Sequence, residues 1–305
     1  MSGGMPLVLI VMTDENTTSG VSDETPRRAS QTKPPRRPKS KFSRMWVPNQ
    51  PGAWVMVLTP ALAGTIAGGV SWRSVWTTVA WLACYCAQFT TARWMVSHGQ
   101  RRYMVPALSY MAATCVIGLP LLALTPQLLW WAPFYILVAA ASFGLAWMRR
   151  DRGLLSQTVA VIAAGGIGAV TTGLGTRYFP DGMFSPAGMM IGAIFAVFEF
   201  GQLLFVPSMA VGRAGRGNRA DRTDRASVPR GYHAASVAVS AAMAVAGFAL
   251  IPAYGPALAV AALTLLARAT VLPILSSRGV IPPLTAAPCE VVTSLVMLIA
   301  VAVSF

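Results

Sequence analysis

The chain has 305 residues, of which 55% are apolar and only 11% are charged. A typical water-soluble domain carries about 25% charged residues, so this composition excludes an ordinary soluble fold. The formal net charge of +14 is compatible with nucleic-acid binding. However, the cations lie in an N-terminal tail and in alternate short loops, which is the pattern of membrane topology. We therefore expect a membrane protein with no nucleic-acid partner.

The first 45 residues form a polar tail. A short apolar run at residues 7–12 is followed directly by Asp14 and Glu15, which fits neither a signal peptide nor a span. Residues 13–45 are rich in Ser, Thr, Pro, Lys and Arg and have no core-forming pattern. We predict that residues 1–45 are a disordered basic cytoplasmic tail, whose cations can contact anionic lipid headgroups.

From residue 46 onward, apolar runs recur at the length that crosses a hydrocarbon layer, about 20 residues each. The predicted fold class is all-α, a polytopic integral membrane protein with about nine transmembrane helices. We expect Gly64 and Gly68 to allow a close helix contact, and the sixth span to break near Pro207. The predicted spans are residues 52–69, 74–94, 104–124, 128–148, 154–175, 185–206, 232–251, 255–275 and 285–305.

The distribution of cations predicts the orientation of the chain. With nine spans, every Lys and Arg except Arg73, Arg177 and Arg268 falls on one side of the bilayer. Cytoplasmic loops carry the excess of Lys and Arg in membrane proteins. We therefore place the N-terminus in the cytoplasm and the C-terminus outside, in a multi-pass protein of the cell (plasma) membrane.

Three ionisable residues, Glu199, Arg268 and Glu290, fall within predicted spans. Counting 1.5 Å per residue places all three roughly 8–10 Å below the cytoplasmic surface. Gln202 lies three residues after Glu199, on the same helix face. Such residues usually face the protein interior and have partners. We predict a cytoplasm-facing polar cavity in which Arg268 pairs with Glu199 or Glu290; the alternative is a buried ion pair that only fixes helix packing.

The predicted mouth of this cavity is formed by the ends of two spans. Asn49 and Gln50 precede the first span, and His233 begins the seventh. The unperturbed pKa of histidine is near 6.5, so His233 could act as an acid, a base or an anion donor. The alternative for His233 is a structural hydrogen bond at the start of its helix.

The sequence lacks the signatures of the common catalytic and metal sites. The four cysteines lie in apolar runs without the spacing of a disulfide framework or a metal site. There is no HExxH sequence, no nucleophile elbow and no Walker sequence. We therefore predict buried, unreactive thiols, no metal and no cofactor. The cysteines are Cys84, Cys86, Cys115 and Cys289.

Two motifs resemble those of a known family. Pro48-Asn-Gln-Pro-Gly-Ala-Trp54 resembles the opening motif of the YwiC-like family of bacterial membrane proteins, which typically reads Pro-x-Gln-His-Gly-Ala-Trp. Leu204-Phe-Val-Pro-Ser-Met209, with the basic loop and Tyr232-His233 that follow, is similar to a second family stretch. A basic turn at residues 149–155 is a weaker match. The resemblance covers residues 46–305 and implies a multi-spanning domain without an established reaction.

The chain departs from the family pattern at two positions. Pro51 stands where the family usually has His, and Pro207 stands where it usually has Lys or Arg. If those family residues take part in a reaction, this chain lacks two side chains that could transfer a proton or bind an anion. An altered or absent activity is therefore one of the alternatives.

Three functions are open at this point. The first is an enzyme acting on a lipid-linked or isoprenoid substrate, by analogy with the layout of the intramembrane prenyltransferases. The loop at residues 93–102 has no Asp, although those enzymes hold Mg²⁺ with two Asp-rich motifs. The second is a transporter or permease for a small anionic solute, with residues 161–175 as a discontinuous helix. The third is a non-catalytic membrane scaffold whose basic loops dock an acidic partner or anionic lipid headgroups.

Overall fold

A computed structural model describes Trp46 and residues 51–148, 153–180, 182–211, 231–278, 280–282 and 285–305. These residues belong to one compact unit within residues 40–305. They contain α-helices and a 3-10 helix but no strand, which confirms the predicted all-α fold class. The predicted tail at residues 1–45 lies outside the described residues, as do Asn49 and Gln50.

Nine long helices are present in the described part of the chain, each at the place of a predicted span. Their boundaries differ from the predicted ones by a few residues, because apolar composition does not fix where a helix starts or ends. A 3-10 helix, Pro126–Trp131, precedes α4, and a single helical turn, Ile251–Tyr254, precedes α8. The helices are α1 (Pro51–Ala67), α2 (Trp72–Val96), α3 (Arg101–Leu124), α4 (Ala132–Trp147), α5 (Leu154–Gly173), α6 (Pro186–Val211), α7 (Gly231–Ala249), α8 (Ala257–Ser277) and α9 (Ala286–Ser304).

Seven helical stretches of the described residues are long and apolar enough to cross a membrane. These seven are α3, the 3-10 helix together with α4, and α5 to α9. The apolar part of α1, Gly52–Ala67, is shorter, and α2 is not among the seven. The sequence of α2 includes Arg73, Arg93, Gln88 and several threonines, which lower its hydropathy. The chain is therefore a multi-spanning membrane protein, while nine spans and the orientation stay predictions.

The sixth helix does not break where the sequence predicted. α6 continues through Pro207 to Val211, so the predicted break near Pro207 is wrong. Proline removes one backbone donor, but membrane helices tolerate it where Ser or Thr side chains bond the backbone nearby. The Ser208 hydroxyl donates to the carbonyl of Phe205 at 2.6 Å, in the turn that contains the proline.

Glycines let α1, α5 and α6 approach closely. A Cβ on Gly64 of α1 would lie only 2.2 Å from the carbonyl oxygen of Gly168 on α5. On the other side of α5, a Cβ on Gly165 would lie 2.6 Å from the Gly192 carbonyl oxygen of α6. The predicted close contact at Gly64 is confirmed. α5 is one continuous helix, so the expectation of a discontinuous helix at residues 161–175 is wrong.

The ends of the helices gather on two opposite faces. On one face, the Ser276 hydroxyl near the end of α8 donates to the Met209 carbonyl near the end of α6 at 3.0 Å. On the other, Arg177 donates to the carbonyl oxygens of Ala67, at the end of α1, and Phe305, at 2.9 and 2.7 Å. Between the two faces, α1, α6, α8 and α9 share a core built on Phe195, Phe198 and other apolar residues.

Candidate functional site

A polar cluster links the three helices α6, α8 and α9. Gln202 of α6 and Arg268 of α8 both donate to the hydroxyl of Thr293 on α9, at 2.9 and 2.7 Å. A second guanidinium nitrogen of Arg268 donates to the side-chain oxygen of Gln202. Thr293 itself donates to the Cys289 carbonyl one turn earlier, at 2.8 Å. The hydrogen-bonding capacity of this hydroxyl is therefore fully used.

The guanidinium of Arg268 is stabilised by neutral groups. Its hydrogen-bond partners are Gln202 and Thr293, neither of which is a carboxylate. The guanidinium carbon also lies 3.9 Å from the ring centroid of Phe205, close enough for a cation–π interaction. The Nε atom is buried and has no hydrogen-bond partner. The structure thus brings Arg268 and Gln202 into contact, but does not show the predicted ion pair with Glu199 or Glu290.

Glu199 lies one helical turn before Gln202 and is 4% exposed. Its Oε1 atom is buried and has no hydrogen-bond partner. Glu290, on α9, is half-buried and lies against the start of α1, where a Cβ on Gly52 would be 2.8 Å from its Oε2. A carboxylate in this position is favoured by the partial positive charge of the helix N-terminus. The environments of the two acids therefore differ. Glu199 is buried with an unpartnered carboxyl oxygen, whereas the carboxyl group of Glu290 lies beside the N-terminus of α1.

The remaining predicted site residues are not members of this hydrogen-bonded cluster. His233 is half-buried at the start of α7, and its Nδ1 atom is buried without a partner. Asn49 and Gln50 lie outside the described residues, so their predicted place at a cavity mouth stays a prediction.

A separate cavity of about 510 Å³ lies among α1 to α5. Its wall is almost entirely apolar, and none of the predicted site residues that the structure describes contributes to it. Sequence reasoning missed it because its lining consists of ordinary apolar and aromatic side chains from five helices, which no motif marks. The lining includes Met56, Val57, Ala80, Trp81, Cys84, Tyr85, Gln88, Cys115, Gly118, Leu119, Leu122, Tyr135, Ala139, Ser142 and Ile167.

The few polar side chains of this cavity mostly have protein partners. Gln88 donates to the Ser142 hydroxyl at 2.7 Å, which joins α2 to α4. The indole of Trp81 donates to the Val57 carbonyl at 3.1 Å and is thereby held in place. The hydroxyl of Thr77 is buried without a partner. The cavity therefore offers rigid aromatic walls and very few free polar groups to an occupant.

The thiols differ from the prediction that all are buried. Cys84 and Cys115 are exposed, Cys289 is half-buried, and only Cys86 of these free cysteines is buried. Cys84 and Cys115 both line the cavity, which explains their exposure within apolar helices. No group of three or more His, Cys, Asp or Glu side chains that could hold a metal ion is present among the described residues.

Part of the chain is similar to known proteins. Residues 47–172, which contain α1 to α4, all of α5 but its last residue, and every residue that lines the cavity, match the model of the family described as YwiC-like protein. An uncharacterized protein of Haemophilus influenzae is 21% identical over 166 residues, covering 54% of this chain and 68% of that protein. No solved structure matches the chain. The second motif, around Leu204 and His233, lies beyond the matched region, so the extent of the domain to residue 305 stays a prediction. The chain is a multi-spanning membrane protein whose residues 47–172 are similar to the YwiC-like family.

Proposed function

We propose that this protein binds a lipid-linked or isoprenoid molecule in the cell membrane, with the hydrocarbon chain in the cavity among α1 to α5. The observation that supports this proposal is the cavity, which has a volume of about 510 Å³ and an apolar wall. Pockets of roughly 300–1,000 Å³ are the usual size for small-molecule and cofactor sites. An anionic solute has no partner in such a wall, because burying a charge without a partner is costly.

In this proposal, the shape of the cavity and its aromatic side chains favour the hydrocarbon chain of the ligand over ordinary lipid tails. Lipid tails are as apolar as the cavity wall, so the hydrophobic effect alone does not favour the cavity over the bilayer. Trp81 and Tyr135 have ring centroids 6.0 Å apart and stand on facing helices. Rigid rings of this kind provide large contact areas for a branched hydrocarbon. The Gln88–Ser142 hydrogen bond supplies a polar group for a hydroxyl or ester at one point of the chain.

A second candidate function is transport of a small anionic solute. It is favoured by Arg268, whose guanidinium lies among α6, α8 and α9 with its Nε unpartnered. Arginine inside a membrane domain commonly marks a solute path. Uptake of a solute by proteoliposomes that Arg268→Ala abolishes would support this function.

Native mass spectrometry of the detergent-purified protein tests the lipid proposal. We expect wild-type protein to retain one isoprenoid or phospholipid per chain. Gly118 lines the cavity, and a Cβ at this position meets no atom within 4 Å, so Gly118→Phe should place its ring in the open space. This variant should lose the bound lipid.

The matched control is Gly144→Phe. Gly144 lies in α4, its Cβ would also meet no atom within 4 Å, and it does not line the cavity. The control should therefore keep the lipid. Absence of any bound lipid from the wild type, or equal retention by Gly118→Phe and the wild type, would contradict the proposal.

A further inference from the structure

The two ends of the cavity among α1 to α5 differ in chemistry. One end is closed by the 3-10 helix, whose Leu128 and Trp131 belong to the wall, and Trp131 is only 6% exposed. At the other end, Gln88 is the last lining residue of α2 and Ser142 the last of α4, and the amide of Gln88 donates to the Ser142 hydroxyl. A hydroxyl that accepts one hydrogen bond can still donate its own proton. An elongated amphipathic ligand would therefore place its apolar end at the 3-10 helix and its polar end beyond Gln88.

The cavity opens sideways between α3 and α4. α3 packs against α2 and the 3-10 helix, and α4 packs against α2 and α5, but α3 and α4, each described over its whole length, do not pack closely against each other. Leu119 of α3 lines the cavity and is 63% exposed. A side chain in an enclosed cavity would be far less exposed, so this side of the cavity faces the surrounding lipid. A hydrocarbon chain can enter there without leaving the membrane.

The start of α3 lies at the polar end of the cavity. α1 ends at the face where Arg177 bonds its last carbonyl, and in the turn that follows, the Ser71 hydroxyl donates to the Leu174 carbonyl at 2.7 Å. α2 therefore runs from this face to the opposite one, and Arg101, the first residue of α3, lies at that opposite face. The last eight residues of α2 place this end of the helix roughly 12 Å beyond Gln88.

Arg101 lies on the side of α3 that borders the opening. It precedes Leu119 by 18 residues, which is five turns of an α-helix, so the two residues lie on the same side of α3. Leu108 and Cys115 follow Arg101 by one and two heptads, which places them within about 40° of this side. Both are exposed. α3 therefore carries an apolar strip that leads from the opening of the cavity to the arginine at its start.

We propose that the cavity binds an isoprenyl phosphate, whose chain enters between α3 and α4 and whose phosphate lies against Arg101. Inside the apolar wall an ionised phosphate would be a buried charge without a partner, so the phosphate stays at the polar end. A phosphate monoester carries a charge of about −1.5 to −2 near pH 7, and a guanidinium can donate two parallel hydrogen bonds to it. This inference rests on the lipid proposal and adds the head group and the direction of the bound ligand.

Arg101→Gln removes the proposed partner of the phosphate. Cations at this face also follow from membrane topology alone, so the variant needs a control with the same loss of charge. Arg278 is exposed at the end of α8, two residues after Ser276, whose hydrogen bond to Met209 marks the same face, and it does not line the cavity. Arg278→Gln is therefore the matched control. Gly118→Phe, which fills the cavity, defines the binding of a probe to detergent alone.

Equilibrium binding of radiolabelled geranylgeranyl phosphate and geranylgeraniol to the full chain in detergent tests the inference. We expect the wild type to bind the phosphate about tenfold more tightly than the alcohol, which is the effect of one charge-assisted hydrogen bond. This preference should weaken as the salt concentration rises. Arg101→Gln should bind the two probes equally and should bind the alcohol as the wild type does, which also shows that the variant is folded. Arg278→Gln should keep the tenfold preference.

Equal wild-type affinities for the two probes, or an undiminished preference in Arg101→Gln, would overturn the inference, as would the same loss in Arg278→Gln. In each of these cases the lipid proposal stands as long as the alcohol binds to the wild type and not to Gly118→Phe. Wild-type binding no greater than that of Gly118→Phe would contradict both proposals. Displacement of geranylgeranyl phosphate by an equal concentration of phosphatidylglycerol would assign the site to a diacyl phospholipid and would overturn the choice of ligand.

Discussion

At the scale of single residues, Thr293 holds the polar cluster together. Its hydroxyl accepts from Gln202 and Arg268 and donates within its own helix, so one oxygen connects α6, α8 and α9. Arg268 and Gln202 also bond each other, which closes a triangle of side chains. Removing the shared acceptor leaves two buried donors unsatisfied, and unsatisfied buried donors cost more than the hydrogen bonds contribute.

Thr293→Val tests this role with almost no change in shape. We expect it to destabilise the protein by about 1–3 kcal/mol, because two buried donors lose their acceptor. Thermal unfolding in detergent should show the effect as a melting temperature lower by several degrees. Thr270→Val is the control, since the Thr270 hydroxyl bonds only carbonyls of its own helix, those of Leu266 and Ala267. Equal melting temperatures for the two variants would contradict the role of Thr293.

The sequence identified the polar layer but not its bonding. Glu199, Gln202 and Arg268 stood out because charged and amide groups are rare in apolar runs, and the structure brings Gln202 and Arg268 into contact. The choice of partner for Arg268 depends on the rotation of three helices about their axes, which the spacing within one helix does not determine. An ion pair was therefore the natural expectation, although neutral oxygen atoms accept the hydrogen bonds of the guanidinium.

At the scale of helices, glycine residues determine which helices pack most closely. In membranes, lipid tails compete equally for apolar surfaces, so helix pairs are stabilised by close packing. Gly64 meets Gly168, and Gly165 meets Gly192, so α5 is packed tightly between α1 and α6. This arrangement joins α5, which lines the cavity, to α6, which carries Glu199.

Gly64→Ala tests this packing. The new methyl group would lie 2.2 Å from a backbone oxygen, so α1 and α5 must move apart. We expect a loss of about 1–3 kcal/mol in unfolding free energy, as in overpacked cores. Gly118→Ala is the control, since it meets open space and gains helix propensity, at most about 1 kcal/mol. Equal melting temperatures for Gly64→Ala and Gly118→Ala would rule out the close contact.

The existence of helices was predictable, whereas helix continuity and the cavity were not. Long apolar runs predicted every long helix in the described residues. Pro207 predicted a break, but packing and the Ser208 hydrogen bond support the helix through it. The cavity arises because side chains from five helices fail to fill the space between them, and no local pattern records such a gap.

At the scale of the whole molecule, the helices alternate between two faces. The end of α8 meets the end of α6 on one face, and the end of α1 meets Phe305 on the other through Arg177. Met209 and Ser276 mark the face at which α6 ends, and residues 212–230, which follow α6 in the sequence, hold most of the late cations. The cation bias predicts that the face of Met209 is the cytoplasmic one.

Reporter fusions at the C-terminus test this orientation. We expect alkaline phosphatase fused after Phe305 to be active and green fluorescent protein at the same place to be dark, because the predicted C-terminus lies outside. Fluorescence without phosphatase activity would show that the C-terminus is cytoplasmic and that the predicted orientation is wrong. Labelling of residues 213–230 from outside intact cells would have the same meaning.

The most direct measurement of the central claim is an experimental density map of the protein in nanodiscs made from its native membrane lipids. The account predicts elongated density in the cavity between α2 and α4, against Trp81 and Tyr135, and its absence in Gly118→Phe. A cavity that is closed by its own side chains, or that holds only water in the wild type, would contradict it.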